Sequence, residues 1–115
     1  MKLNENQLKE IDEKGYLILP DCFSNEEVNN LRKAMTTVFN EKTEANVVEK
    51  SSGEVRTAMG LHLRSKIFDD LTRHPKFFEP ACQIRGNDLY IQQTKINVKT
   101  AFTGEVWQWH YDFAT

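Results

Sequence analysis

The sequence predicts an α+β fold in which helices come first and strands follow. Three observations predict it. Apolar residues recur at helical spacing through Val28, Leu31, Met35 and Val38, and again through Ile67, Phe68 and Leu71. From Leu89 the period changes to the alternation of a strand, in the run 89-LYIQQTKINV-98, which is rich in β-formers. The last segment, 106-VWQWHYDFA-114, alternates aromatic and polar side chains in the same way. A helical region over about 1–86 and strands over about 87–115 are therefore expected.

Each element has its own justification. Residues 4–14 form a first helix, with Leu8 and Ile11 on one face and Gly15 as its stop. The apolar run 16-YLIL-19 reads as a short strand that Pro20 ends. Ser24 opens a helix over 24–41, and Glu27, three residues on, completes a capping box. Residues 42–58 are polar and without a clear period, and 50-KSSGEV-55 reads as a loop or hairpin tip. Helical spacing returns from Ser65. His74-Pro75 marks a break and a new helix start, carrying Phe77, Phe78 and Ala81 and ending near Gly86-Asn87-Asp88. Thr103-Gly104 is a turn between the two strands.

Composition narrows the class. With 115 residues, 39% hydrophobic and 28% charged, the chain is expected to pack one core rather than stay disordered. A net charge of −2 and scattered Lys and Arg give no field for nucleic acid or for an anionic membrane. No apolar run approaches the ~20 residues of a membrane span. The polar N-terminus does not read as a signal peptide. Cys22 and Cys82 stand far apart in no metal-like spacing, as two thiols in a reducing compartment would. A cytoplasmic protein is expected. Two or three strands do not make an independent sheet, and so apolar an edge does not stay unpaired. The chain is therefore expected to be the N-terminal part of a larger domain.

The last strand carries the chemistry. Alternation puts Trp107, Trp109, Tyr111 and Phe113 on one face and Gln108, His110 and Asp112 on the other. His110 and Asp112 then lie about 7 Å apart along that face. An imidazole nitrogen and a carboxylate oxygen can share one ion. They are two of the three donors of the 2-His-1-carboxylate triad of non-haem Fe(II). A bare H-x-D also occurs by chance on the wet face of a half-buried strand. The residues alone leave both readings open.

The stretch 93-QTKINVKTAFTGEVWQWHYDFAT-115 resembles the phytanoyl-CoA dioxygenase family of Fe(II)/2-oxoglutarate oxygenases, and most of all its ectoine hydroxylase branch. The likeness rests on Gln93, Thr94, Lys95, Ile96, Asn97 and Lys99, then on Trp109, His110, Asp112 and Phe113. It extends upstream through 15-GYLILPDCFSNEEVNNLR-32, 54-EVRTAMGLH-62 and 74-HPKFFEPACQIRGNDLYIQQ-93.

The resemblance implies a double-stranded β-helix (jelly-roll) barrel, of which this chain holds the N-terminal helices and first strands. It implies that His110 and Asp112 ligate iron, that Asn97 and Lys99 hold 2-oxoglutarate, and that Trp107 walls the co-substrate pocket. Gln93 would face the substrate, with Arg56 and His62 near the entrance. The implied reaction couples decarboxylation of 2-oxoglutarate by O2 to hydroxylation of an aliphatic C–H in a small molecule. Asp112 favours hydroxylation, because halogenating relatives carry a small residue there. A homodimer is an option for the complete protein. The family also needs a second metal His and an Arg for 2-oxoglutarate farther downstream. Neither is in this sequence, so the fragment alone is expected to be inactive.

Each residue also has a bland reading. Lys99 at a strand end can be a solvated lysine, and Gln93 and Asn97 can satisfy barrel backbone. The face of Trp107 and Trp109 reads as core packing more readily than as a substrate cage. At the level of function, a halogenase-related or non-catalytic member, or a binding domain with an incidental H-x-D, stand beside the dioxygenase reading. A zinc hydrolase is disfavoured, since no H-E-x-x-H is present.

Overall fold

The computed structural model describes residues 1–102, 104 and 106–110. Along the chain lie helices α1 (Glu5–Lys14) and α2 (Asn25–Phe39), strands β1 (Asn46–Val48) and β2 (Val55–Met59), helices α3 (Leu61–Arg64), α4 (Lys66–Thr72) and α5 (Pro75–Arg85), and strand β3 (Lys95–Asn97). The α+β composition holds, but the order is interleaved: the β1–β2 hairpin sits between two groups of helices.

The helix ends follow their sequence signals. Asn4 and Ser24 close capping boxes with Gln7 and Glu27. Gly15 ends α1 in the left-handed conformation, with φ 79°. His74 caps α5 by accepting the Lys76 N–H on Nδ1, and Pro75 takes the first helical position, where no N–H is needed.

The strands depart from expectation. Tyr16–Leu19 is not a strand; Tyr16 and Ile18 are 59% and 76% exposed, and no described strand runs beside them to form a ladder. Within 42–58, where the sequence shows no period, two short strands pair as an antiparallel hairpin, and 50–55 forms its tip and the start of β2, as the hairpin-tip reading of that segment expects. Strands of three and five residues are too short to show a period. Of the expected strand over 89–98, only Lys95–Asn97 finds a partner. Val106 to His110 form no strand, and Tyr111 to Thr115 lie outside the described residues, as does Thr103 of the expected turn.

The three strands form an antiparallel sheet in the order β1-β2-β3. Helices α2 and α4 close over it. The core is Ala34 and Val38 of α2, Ala58 of β2, Leu61 of α3 and Phe68 of α4, with Leu31, Met35, Leu71 and Ile96 packed around them. Each large apolar side chain withdrawn from water here stabilises by roughly 1.5–3 kcal/mol. Arg64 ties the layers together. Its guanidinium donates to Glu41 Oε2, Asn46 Oδ1, the Met59 carbonyl and the Val38 carbonyl, so one side chain joins the end of α2 to both strands of the hairpin. At the N-terminus, Leu3 exchanges two hydrogen bonds with Gln83 of α5. No helix among the described residues is long and apolar enough to cross a membrane.

Candidate functional site

β3 pairs with β2 along one edge, in the register Thr57↔Asn97, Ala58↔Ile96 and Met59↔Lys95. Two links beyond the ladder anchor the end of β3 and the residue after it. The buried Thr57 donates its hydroxyl to Asn97 Oδ1 at 3.0 Å. The Val98 N–H donates to the Arg56 carbonyl at 2.8 Å.

The chain then turns. Lys99 Nζ donates to the Gly104 carbonyl at 3.0 Å, and the Gly104 N–H returns to the Thr100 carbonyl at 3.1 Å. A Cβ at Gly104 would stand 2.8 Å from that carbonyl oxygen, so the turn closes only without a side chain. It brings Trp107 back against β2, where the Arg56 guanidinium lies 4.3 Å from the ring centroid. The Trp107 Nε1 is buried with no hydrogen-bond acceptor among the described residues.

The outcome is an open groove of about 550 Å³ lined by Asn97, Val98, Lys99, Val106 and Trp107. It gathers the three residues that the sequence assigned to the co-substrate. An amide, an ammonium group and an indole face together suit a small anion with an apolar stem.

His110 comes three residues after Trp107 and is exposed. Its Nδ1 lies 2.6 Å from the Gln108 carbonyl oxygen. A carbonyl only accepts, so Nδ1 carries a proton and Nε2 is the nitrogen suited to a metal. Asp112 lies outside the described residues. Among the described residues no three His, Cys, Asp or Glu side chains converge as a metal cluster. As donors, a neutral imidazole nitrogen and a carboxylate fit a ferrous ion.

Other expected residues fall elsewhere. Gln93 lines a separate groove with Leu61, Phe68, Leu71 and Ile96. His62 is bound through Nδ1 to Thr94 Oγ1 at 2.7 Å, and the Gly60 N–H donates to the Thr94 carbonyl, so this histidine seats α3 on the chain before β3. Trp107 and Trp109 do not share a buried face. Trp107 is half-buried and Trp109 is 103% exposed, because alternation needs a ladder that this segment lacks. Thr57 was not visible as a site residue in the sequence, since 55–59 carried no period. The one signal was a polar residue inside the β-forming run 55-VRTAM-59.

A charged cluster stands apart from this groove. Glu27 accepts from Lys76 Nζ at 2.9 Å and from the Ser24 N–H at 2.7 Å. Those bonds, Lys76 first, hold its carboxyl at about 2, well below the ordinary 4.5.

This arrangement of helices and small sheet matches that of a structure solved with bound Fe. The crystal structure of EctD from S. alaskensis with bound Fe superposes with a TM-score of 0.88 at 30% identity, covering 96% of this chain and 41% of that one. The same enzyme with 2-oxoglutarate and 5-hydroxyectoine matches equally, with a TM-score of 0.88. The family model for phytanoyl-CoA dioxygenase matches residues 11–115, and the chain belongs to that family. Ectoine dioxygenase of Bordetella bronchiseptica is 32% identical over 117 residues, 98% of this chain and 38% of the relative. L-proline trans-4-hydroxylase of Streptomyces griseoviridis is 35% identical over 100 residues, 87% of this chain and 37% of the relative. The chain thus spans about two fifths of the length of the curated relatives it matches, at 38% and 37%.

Proposed function

We propose that the chain is the N-terminal part of a single Fe(II)- and 2-oxoglutarate-dependent dioxygenase domain. In this reading 1–86 holds the helices and the β1–β2 hairpin, and 87–115, which includes β3, leads into a jelly-roll barrel. The reaction is hydroxylation of an aliphatic C–H in a small-molecule substrate by O2. The observation that carries the reading is the groove that joins Asn97, Lys99 and Trp107, followed three residues along the chain by a histidine whose Nδ1 is committed to a carbonyl. Relatives named as a dioxygenase and a hydroxylase, and a neighbour solved with Fe and 2-oxoglutarate, support it.

His110, through Nε2, and Asp112 would be two of the iron's protein ligands. When bound, the iron and 2-oxoglutarate together supply the activation of O2. The residues of this chain do the positioning. Asn97 donates its amide N–H groups to the co-substrate carboxylate, and Lys99 adds a cation beside it. Trp107 walls the pocket and keeps water from the co-substrate stem. Gln93 presents an amide to the substrate. A second metal histidine and an arginine for the far carboxylate belong to the region that the longer relatives have in addition.

The test uses the product of the complete coding sequence. Succinate formation from 2-oxoglutarate is measured with Fe(II), in the wild type and in His110→Ala. The expected result is turnover in the wild type and its loss in the variant, with Fe(II) affinity lowered. Equal turnover in both would remove His110 from the metal site and overturn the reading.

A further inference from the structure

We propose that Thr57 is a positioning residue for the co-substrate, because its hydroxyl decides which end of the Asn97 amide faces the groove. The proposal rests on the reading of Asn97 as a co-substrate residue and deepens it.

Thr57 and Asn97 stand opposite each other on the antiparallel pair β2–β3. Thr57 is only 6% exposed, and its Oγ1 donates to Asn97 Oδ1 at 3.0 Å. A buried hydroxyl proton needs an acceptor. Among the described residues, Oδ1 is the acceptor that this one has. An amide has an acceptor end and a donor end of nearly the same shape. The reverse flip would set NH2 against the hydroxyl and leave the buried proton without that acceptor. It would also present oxygen lone pairs to an anion. The observed arrangement ties the oxygen to β2 and leaves the NH2 end, with two donors, for a carboxylate. Lys99 comes two residues later, past the end of β3, and lines the same groove. Asn97 thus offers donors beside a cation, as a 2-oxo acid dicarboxylate requires.

Steady-state kinetics and direct 2-oxoglutarate binding on the complete protein test this. Thr57→Val keeps the shape and removes the hydroxyl. It is expected to raise KM for 2-oxoglutarate about three- to tenfold, the range of one hydrogen bond. kcat should stay within about twofold, and Thr57→Ser should return KM to within about twofold of wild type. Asn97→Ala should raise KM at least as much. Adding Thr57→Val to Asn97→Ala should then change nothing more, which a merely structural threonine would not obey. If Asn97→Ala raises KM but Thr57→Val does not, or if the two effects add in the double variant, the role of Thr57 is overturned while that of Asn97 stands. If Asn97→Ala leaves KM unchanged, the reading of Asn97 falls and takes the proposal with it. Should the valine variant fail to fold, Thr57→Ala compared with Thr57→Ser makes the same measurement.

Discussion

The Arg56 guanidinium lies over the indole of Trp107, 4.3 Å from the ring centroid. This contact ties the segment that leads to His110 back onto β2, across a stretch of chain that has no strand ladder of its own. A cation over a ring face attracts its quadrupole, and the attraction grows when water is kept away. Arg56 was expected only near the entrance of a pocket, and the structure gives it this wall to hold.

Replacing Arg56 by Met keeps an apolar stem and removes the cation. The cost should be about 1 kcal/mol, with Arg56→Lys retaining part of it. Urea unfolding of both Arg56 variants, alone and in a Trp107→Phe background, reads this, since removing the cation should cost nothing more once the indole is gone. An equal cost in both backgrounds would refute the contact.

Arg64 should matter more. Its guanidinium binds Glu41, Asn46 and two backbone carbonyls while only 14% exposed. Arg64→Ala leaves these acceptors without their donor and should cost roughly 2–4 kcal/mol. Arg64→Lys should recover little, since one ammonium cannot span a fork. Denaturant midpoints of the three proteins decide it.

Glu27 predicts a pH dependence. Its carboxyl is lowered from 4.5 to about 2, chiefly by Lys76. A group depressed in the folded state adds stability that is fully present above its unfolded value and is lost as pH falls through the folded one. The contribution should therefore be complete above pH 4.5 and gone near pH 2. Thermal unfolding of Glu27→Gln against wild type should show a gap that closes across this window. A gap independent of pH would show that the ionised carboxylate is not what stabilises.

Gly104→Ala tests the turn that brings Trp107 home. The added methyl would meet the Thr100 carbonyl at 2.8 Å, and that neighbour is backbone. The turn must open, at a cost of about 1–3 kcal/mol. The Lys99–Gly104 bond should weaken with it, so KM for 2-oxoglutarate should rise together with the loss of stability. Loss of stability with an unchanged KM would separate the turn from the groove.

The sequence by itself determined what depends on neighbours along the chain. Ser24 with Glu27, Gly15 and His74-Pro75 mark helix ends through bonds that span a few residues, and the structure has those ends. The stretch around Asn97, Lys99, Trp107 and His110 was readable as a resemblance to the family to which the chain belongs. What only the tertiary structure decided depends on partners far apart in the chain. The two strands of the β1–β2 hairpin were hidden because they are too short to show a period, and only its tip at 50–55 was legible. The expected strand over 89–98 lost its first half because β2 ends at Met59, opposite Lys95, and no described strand lies beside the residues before it. Thr57 reaches Asn97, and Arg56 reaches Trp107, only after β2 and β3 pair. A side chain's partner across a sheet is set by register, and register is a property of the fold.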